Sequence, residues 1–221
     1  MNIKYNKKKK ELRKDPVLES IGKIRDFVVK NSNTVISSIL VVIFMFAGFQ
    51  IYSYFKKTGM LKSQEAFGKA TSLYKLQEYD KAIDAFKLVI ENHGKSSHAL
   101  YSCYMIGQIL LSNGEYDKAI SYFEKALSFK KNTAFLRGES LAGIGTSYEA
   151  KGELEKSLQY FQEALNDEKI RYRHPSIQWK MALINKKLGK KDKVVYYCNK
   201  LVSDTLITDY KKKAENLLAT M

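Results

Sequence analysis

The sequence predicts an all-α chain in which a single membrane-spanning helix near the N-terminus is followed by a solenoid of four helical hairpins and a C-terminal capping helix. Three observations carry this expectation. Residues 34–55 (TVISSILVVIFMFAGFQIYSYF) form a 22-residue run without a charge. At about 1.5 Å per residue a helix of this length reaches roughly 33 Å, enough for a hydrocarbon core of about 30 Å, with every backbone polar group paired inside the helix. Beyond it, one pattern of tyrosines, phenylalanines and small residues recurs at intervals of 37, 38 and 37 residues. The composition, 45% hydrophobic and 28% charged with two prolines, suits one helical domain plus an anchor rather than several domains. The chain therefore divides into residues 1–33 (basic arm and amphipathic helix), 34–55 (span) and 56–221 (repeat domain).

The first 14 residues hold Lys4, Lys7, Lys8, Lys9, Lys10, Arg13 and Lys14 with no apolar periodicity, and are read as a disordered arm attracted to anionic lipid. Asp15-Pro16 is a helix-start signature. Val17, Leu18, Ile21, Ile24 and Val28 follow at spacings of three and four, with charged residues between them, giving a short amphipathic helix. Two roles are open to it: lying in the lipid interface, or docking on the cytoplasmic loops of a membrane partner. Residues 1–57 carry 12 Lys and Arg against four Asp and Glu, a net +8 of the chain's +15. Basic residues stay on the cytoplasmic side, so the N-terminus is expected inside and the large domain outside. No small-x-small cleavage site follows the apolar run and no cysteine lies near it, so the helix itself is the expected anchor. Tyr52, Tyr54 and Phe55 are placed as an interfacial aromatic belt. The span is expected to end there, with a short connection before helical patterning returns at Ser63.

Tyr79, Tyr116, Leu154 and Lys191 mark the repeats. Nine residues before each marker stand Ala70, Gly107, Gly145 and Ala182. Three after it stand Ala82, Ala119, Ser157 and Val194; seven after, Phe86, Phe123, Phe161 and Cys198; ten after, Val89, Ala126, Ala164 and Leu201. Gly114, Gly152 and Gly189 lie two residues before the last three markers, where a tight turn is expected, and Gln77 takes that place in the first copy. The copies GEYDKAISYFEKAL and GELEKSLQYFQEAL resemble the second half of a tetratricopeptide repeat, and the small residues nine before the markers fit its first half. Hairpins are expected at about 63–96, 100–133, 138–171 and 175–208, with links slightly longer than a 34-residue repeat has. The fourth copy is the most degenerate, as terminal repeats often are. From Thr208, Tyr210, Ala214, Leu217 and Leu218 share one face of a capping helix. Cys103 and Cys198 fall at packing positions more than two repeats apart and are expected as separate buried thiols.

No constellation for catalysis is visible. His93, His98 and His174 are expected in solvated links, acids alternate with lysines along helix faces, and no phosphate loop or metal-ligand cluster occurs, so no enzyme activity, cofactor, metal or small-molecule substrate is expected. Nucleic acid is an unsuitable partner for a domain outside the cytoplasm, despite a pI near 9.5. The lysine cluster 186, 187, 190, 191, 193 and 211–213 serves either solubility or contact with anionic headgroups or acidic polypeptide. The tetratricopeptide resemblance implies that the first helix of each hairpin lines a concave face. That register gives a partner-binding groove of Phe67, Tyr74, Tyr101, Tyr104, Gln108, Leu111, Trp179 and Leu183, with Thr146, Glu149 and Lys186 beside them. Tyr104 and Trp179 are expected to point out of the hairpin core. Rigid aromatics of this kind dominate protein interfaces, and an extended or helical peptide is the expected ligand.

As a whole the chain resembles the tetratricopeptide-like ancillary subunit family of the bacterial Sec translocon, through the lead-in IGKIRDFVVKNSNTV, the span, the aromatic exit QIYSYF and the return to helix at SQEAFGKATSLY. That resemblance implies an inner-membrane protein with periplasmic repeats, whose partners are translocon subunits, periplasmic chaperones or exported clients. Two other readings are an envelope-assembly scaffold for outer-membrane or cell-wall machinery, and a peptide or lipid carrier at the outer face of the membrane. The charge asymmetry makes a direct prediction: a reporter active only outside the cytoplasm works when fused after Met221 and fails when fused after Lys14, and the reverse pattern contradicts the orientation.

Overall fold

The structure, a computed structural model, describes residues 16–129, 134–203 and 208–221. It is helical throughout these residues apart from turns and links, in the order α1 (Pro16–Lys30), α2 (Ser32–Lys75), α3 (Tyr79–His93), α4 (Ser97–Ser112), α5 (Tyr116–Leu127), α6 (Ala134–Lys151), α7 (Leu154–Leu165), a 3-10 helix (Glu168–Arg173), α8 (His174–Lys187), α9 (Lys191–Ser203) and α10 (Thr208–Ala219). The expected basic arm lies outside the described residues. The chain divides into two compact units at Thr58 and Gly59.

In the N-terminal unit, Pro16 opens α1, where its fixed φ suits the first helical turn. Val17, Leu18, Ile21 and Ile24 are all exposed, as is the apolar run of α2. An 18-residue window of α2 has a mean hydropathy of 2.2 and no buried residue, so α2 is long and apolar enough to cross a membrane. The expected connection between residues 56 and 62 does not exist as a separate element, because α2 continues unbroken to Lys75. Its sequence, KKTGMLK, contains no proline, and a single glycine lowers helix propensity by only about 1 kcal/mol without breaking the helix.

The second unit, Gly59–Met221, holds the repeats. The C-terminal part of α2 packs Phe67 and Ala70 with Ala82 and Phe86 of α3; α4 pairs with α5, α6 with α7 and α8 with α9, and α10 packs against α9. Within each hairpin a residue with positive φ makes the turn: Gln77 (62°), Gly114 (79°), Gly152 (80°) and Gly189 (69°). These are the four turn positions that the repeat register named. The residue after each turn returns its N–H to the preceding helix, as in Glu115 to Leu110 O and Glu153 to Tyr148 O.

Burial follows the register too. Phe86, Phe123, Phe161 and Cys198 are enclosed, as are Ala82, Ala119, Ser157 and Val194 and the residues ten after each marker. Ser157 serves in an alanine position because its hydroxyl donates to Gly145 O at 2.8 Å. The small residues before the turns are required by the phenylalanines. A Cβ placed on Gly107 would stand 2.7 Å from the Phe123 ring, one on Gly143 2.6 Å from it, and one on Gly145 2.8 Å from Phe161. Phe123 is thus held between its own hairpin's first helix and the next hairpin's.

The long link between the third and fourth hairpins is structured. Asp167 caps the 3-10 helix through Lys169 N, and Ile170 is buried against Gly138, whose missing Cβ leaves room for it. Residues 130–133, in the link before α6, and 204–207, before α10, lie outside the described residues. Cys103 and Cys198 are separate, buried and free. Burial pushes the Cys103 thiol up to about 11, which keeps it protonated and unreactive.

The turns supply a prediction. Gln77 occupies the left-handed region that costs a non-glycine residue about 1–2 kcal/mol, while Gly152 occupies it without strain and has open space around its Cα. Gln77→Gly is expected to raise stability by about 1 kcal/mol and Gly152→Ala to lower it by about 1–2 kcal/mol, read from urea midpoints of the full-length protein. Opposite signs contradict the turn assignment.

Candidate interaction face of the first helices

On α4, Tyr101, Tyr104, Gln108 and Leu111 fall at i, i+3, i+7 and i+10 and share one helix face. On α2, Phe67 and Tyr74 are seven apart, and on α8 Trp179 and Leu183 are four apart. All eight residues are half-buried. The apolar ones among them lean on the core clusters beneath. Phe67 packs its ring 5.6 Å from Phe86 and 6.1 Å from Tyr101, joining the first two hairpins, and Tyr74 meets Tyr79 at 5.8 Å. Tyr104 lies 5.9 Å from Phe123. Tyr104 and Trp179 therefore do not stand clear of the core as expected but form part of its wall. Phe67 and Tyr104 each stand three residues before the small seam position, on the same side of the helix, and lie beside the phenylalanine packed there.

A polar cluster completes the face. Glu139 of α6 occupies the same register position as Tyr101, fifteen residues before its marker, and is only 3% exposed. Its carboxylate accepts from Tyr172 Oη at 2.6 Å and Tyr104 Oη at 3.4 Å, and pairs with Arg173 at 3.4 Å. Burial, then the bond to Glu139 and its charge, push the Tyr172 phenol up to about 12; burial first and the Glu139 charge second drive Tyr104 higher still. Both hydroxyls remain donors at any physiological pH. The outer side of this cluster is aromatic, with Phe135 stacked on Tyr172 at 6.3 Å and 15°, both exposed. Further along α6, Glu149 is bound by Lys180 of α8 at 2.6 Å. The carboxylates of the face are thus neutralised internally, leaving aromatic rings, aliphatic side chains and amides to meet a partner.

Two histidines depart from the expectation of solvated links. His98 is in α4, its Nδ1 3.1 Å from the buried Ser63 hydroxyl and its ring 5.4 Å from Phe67. Burial, with His93 nearby, holds its pKa below the ordinary value. His174 opens α8, with Nε2 3.2 Å from Asp167 O.

Glu139, Tyr172, Arg173 and Phe135 were not identified from the sequence. The repeat register does not mark Glu139, whose equivalents are Gln64, Tyr101 and Ser176, and nothing in the sequence pairs it with residues 33 to 35 positions away.

Comparison with known proteins agrees with this architecture. Residues 99–167 and residues 66–96 each match a tetratricopeptide-repeat family. These segments are tetratricopeptide repeats. The matches cover the first three hairpins, and the fourth joins them by its positive-φ Gly189 and buried Val194, Cys198 and Leu201. No curated protein matches the chain. Among solved structures, the fold is similar to apo RapI (TM-score 0.65, 16% identity, 73% of this chain and 48% of that one), so the chain spans about half of RapI's length. It is also similar to a double mutant of MamA RS-1 (0.54, 16%, 63% and 73%) and to YrrB, described as a tetratricopeptide-repeat protein with an unusual peptide-binding site (0.51, 17%, 63% and 67%). At these identities the likeness concerns the fold. The tetratricopeptide architecture is that of a protein-interaction scaffold.

Proposed function

We propose that this chain is a non-enzymatic, membrane-anchored tetratricopeptide scaffold of the inner membrane, with its repeats in the periplasm, that receives exported polypeptides or their chaperones beside the Sec translocon. The observation that carries the binding role is the first-helix face. It displays Tyr101, Gln108, Leu111, Trp179 and Leu183 half-exposed, while Glu139 and Glu149 are occupied by Arg173, Tyr172 and Lys180. A face whose carboxylates are already paired favours apolar and aromatic segments, which is the character of unfolded clients, over highly charged ligands. The anchor rests on the exposed apolar run of α2, and the orientation on the excess of lysine and arginine before it.

Photo-crosslinkers placed at Tyr101, Gln108 and Leu183 in cells, followed by mass spectrometry, test the reading. Translocon subunits, periplasmic chaperones or exported clients are expected among the products. Products drawn only from outer-membrane insertion or cell-wall machinery point to the envelope-assembly reading instead, and an absence of products at all three positions removes the face as a binding site.

A further inference from the structure

The fourth repeat reverses a charge that the other three keep. The residue just before each marker is Glu78, Glu115, Glu153 and then Lys190; the residue two after is Lys81, Lys118, Lys156 and Lys193. In the first three repeats these form ion pairs, each at 2.6 Å, and the acid also sits favourably at the N-terminus of its helix. In the fourth, lysine stands at both positions, Lys190 and Lys193.

The surroundings do not compensate. Lys186, Lys187, Lys190, Lys191 and Lys193 are all exposed, and none has an ion pair or a side-chain hydrogen bond among the described residues. In the earlier repeats, by contrast, Lys69, Lys87 and Lys151 each reach a carboxylate. The nearest acids in sequence and lining are Asp192 on α9 and Glu155 on α7.

The lysines also border a space. Between α7 and α9 lies an indentation of about 360 Å³ lined by Gln159, Gln162, Asn185, Lys190, Lys193 and Tyr197, together with Glu155. The equivalent place between the first two hairpins holds lysines already satisfied, Lys87 by Asp84 and Lys118 by Glu115. Between the second and third hairpins it is occupied by Tyr148 stacked on Tyr160 at 5.5 Å, with Lys151 reaching both Asp117 and Glu153. An unfilled indentation and unpaired lysines thus coincide at the fourth repeat.

We infer that the indentation between α7 and α9 docks an acidic polypeptide segment, whose carboxylates take the place that Glu78, Glu115 and Glu153 fill in the other repeats. The Gln159 amide offers a donor and an acceptor to a peptide backbone, and the Gln162 amide keeps its N–H donors while its Oε1 accepts from Tyr197 Oη at 3.4 Å; Asn185 is buried, with Nδ2 donating to Met181 O. A bilayer meets protruding groups, whereas Lys190 and Lys193 line a recess. This surface is formed by α7 and α9 with Asn185 of α8, and it shares no residue with the first-helix face.

The test uses the full-length chain in dodecyl maltoside and a fluorescein-labelled octaglutamate peptide, read by anisotropy at about 50 mM salt, where surface charges are weakly screened. Lys190→Glu restores the pair that the other repeats contain, so it is expected to weaken binding by about tenfold or more without lowering the melting temperature. Lys212→Glu, an equal charge change on α10, is expected to alter binding by less than about twofold. Three results overturn the inference: no binding of octaglutamate, equal binding by Lys190→Glu and the parent, or equal loss in both variants, which marks a net-charge effect. Retention on phosphatidylcholine–phosphatidylglycerol vesicles that depends on Lys190, without peptide binding, assigns the patch to lipid instead and overturns it as well.

Discussion

The repeat domain depends on one packing arrangement, the insertion of a second-helix phenylalanine into a notch of small residues on the first helices. Phe123 has glycine on two sides, Gly107 from its own hairpin and Gly143 from the next, and Phe161 rests on Gly145. A helical hairpin cannot bury both of its apolar faces alone, so the ring that closes one hairpin also fastens it to the following one. Stacking continues at the fourth repeat with the smaller Cys198, and ends on α10, where Ala214 and Leu217 are buried over α8 and α9.

That arrangement also sets the character of the candidate interaction face. Residues on the outer side of the first helices lie next to the seam, so Phe67 and Tyr104 are drawn against Phe86 and Phe123 and present only part of their rings to solvent. Acids in the same helices come close to the following repeat and are captured there, Glu139 by Tyr172 and Arg173 and Glu149 by Lys180. The outcome is an aromatic, amide-bearing surface with little free charge. Unpaired charge gathers on the fourth repeat, where the Glu–Lys pair of the earlier copies becomes Lys190 and Lys193.

Much of this was readable from residue spacing, because the repeat imposes the same demand on every copy. Four turns were located, including Gln77, which offers no glycine as a cue, and the buried phenylalanines were placed by counting from the markers. What escaped the reading depends on contacts without local periodicity. The Glu139 cluster joins three elements, and its glutamate looks like any solvated helix residue until Tyr104 and Tyr172 are seen to reach it. Ile170 and the 3-10 helix follow from the depth of the notch at Gly138. The unbroken course of α2 was missed because a lysine pair and a glycine after an apolar run look like a boundary, although neither terminates a helix.

The most direct measurement of this packing is a double-mutant cycle between Gly107 and Phe123 in the full-length protein, followed by urea unfolding. A Cβ on Gly107 would lie 2.7 to 3.0 Å from three atoms of the Phe123 ring, so Gly107→Ala alone is overpacked and is expected to cost about 1–3 kcal/mol. In a Phe123→Leu background the added methyl meets a smaller side chain, and most of that cost is expected to disappear, giving a coupling energy of about 1 kcal/mol or more. Additive effects of the two substitutions would mean that the ring and the glycine do not meet, contradicting the packing on which the repeat register, the interaction face and the fourth-repeat comparison all rest.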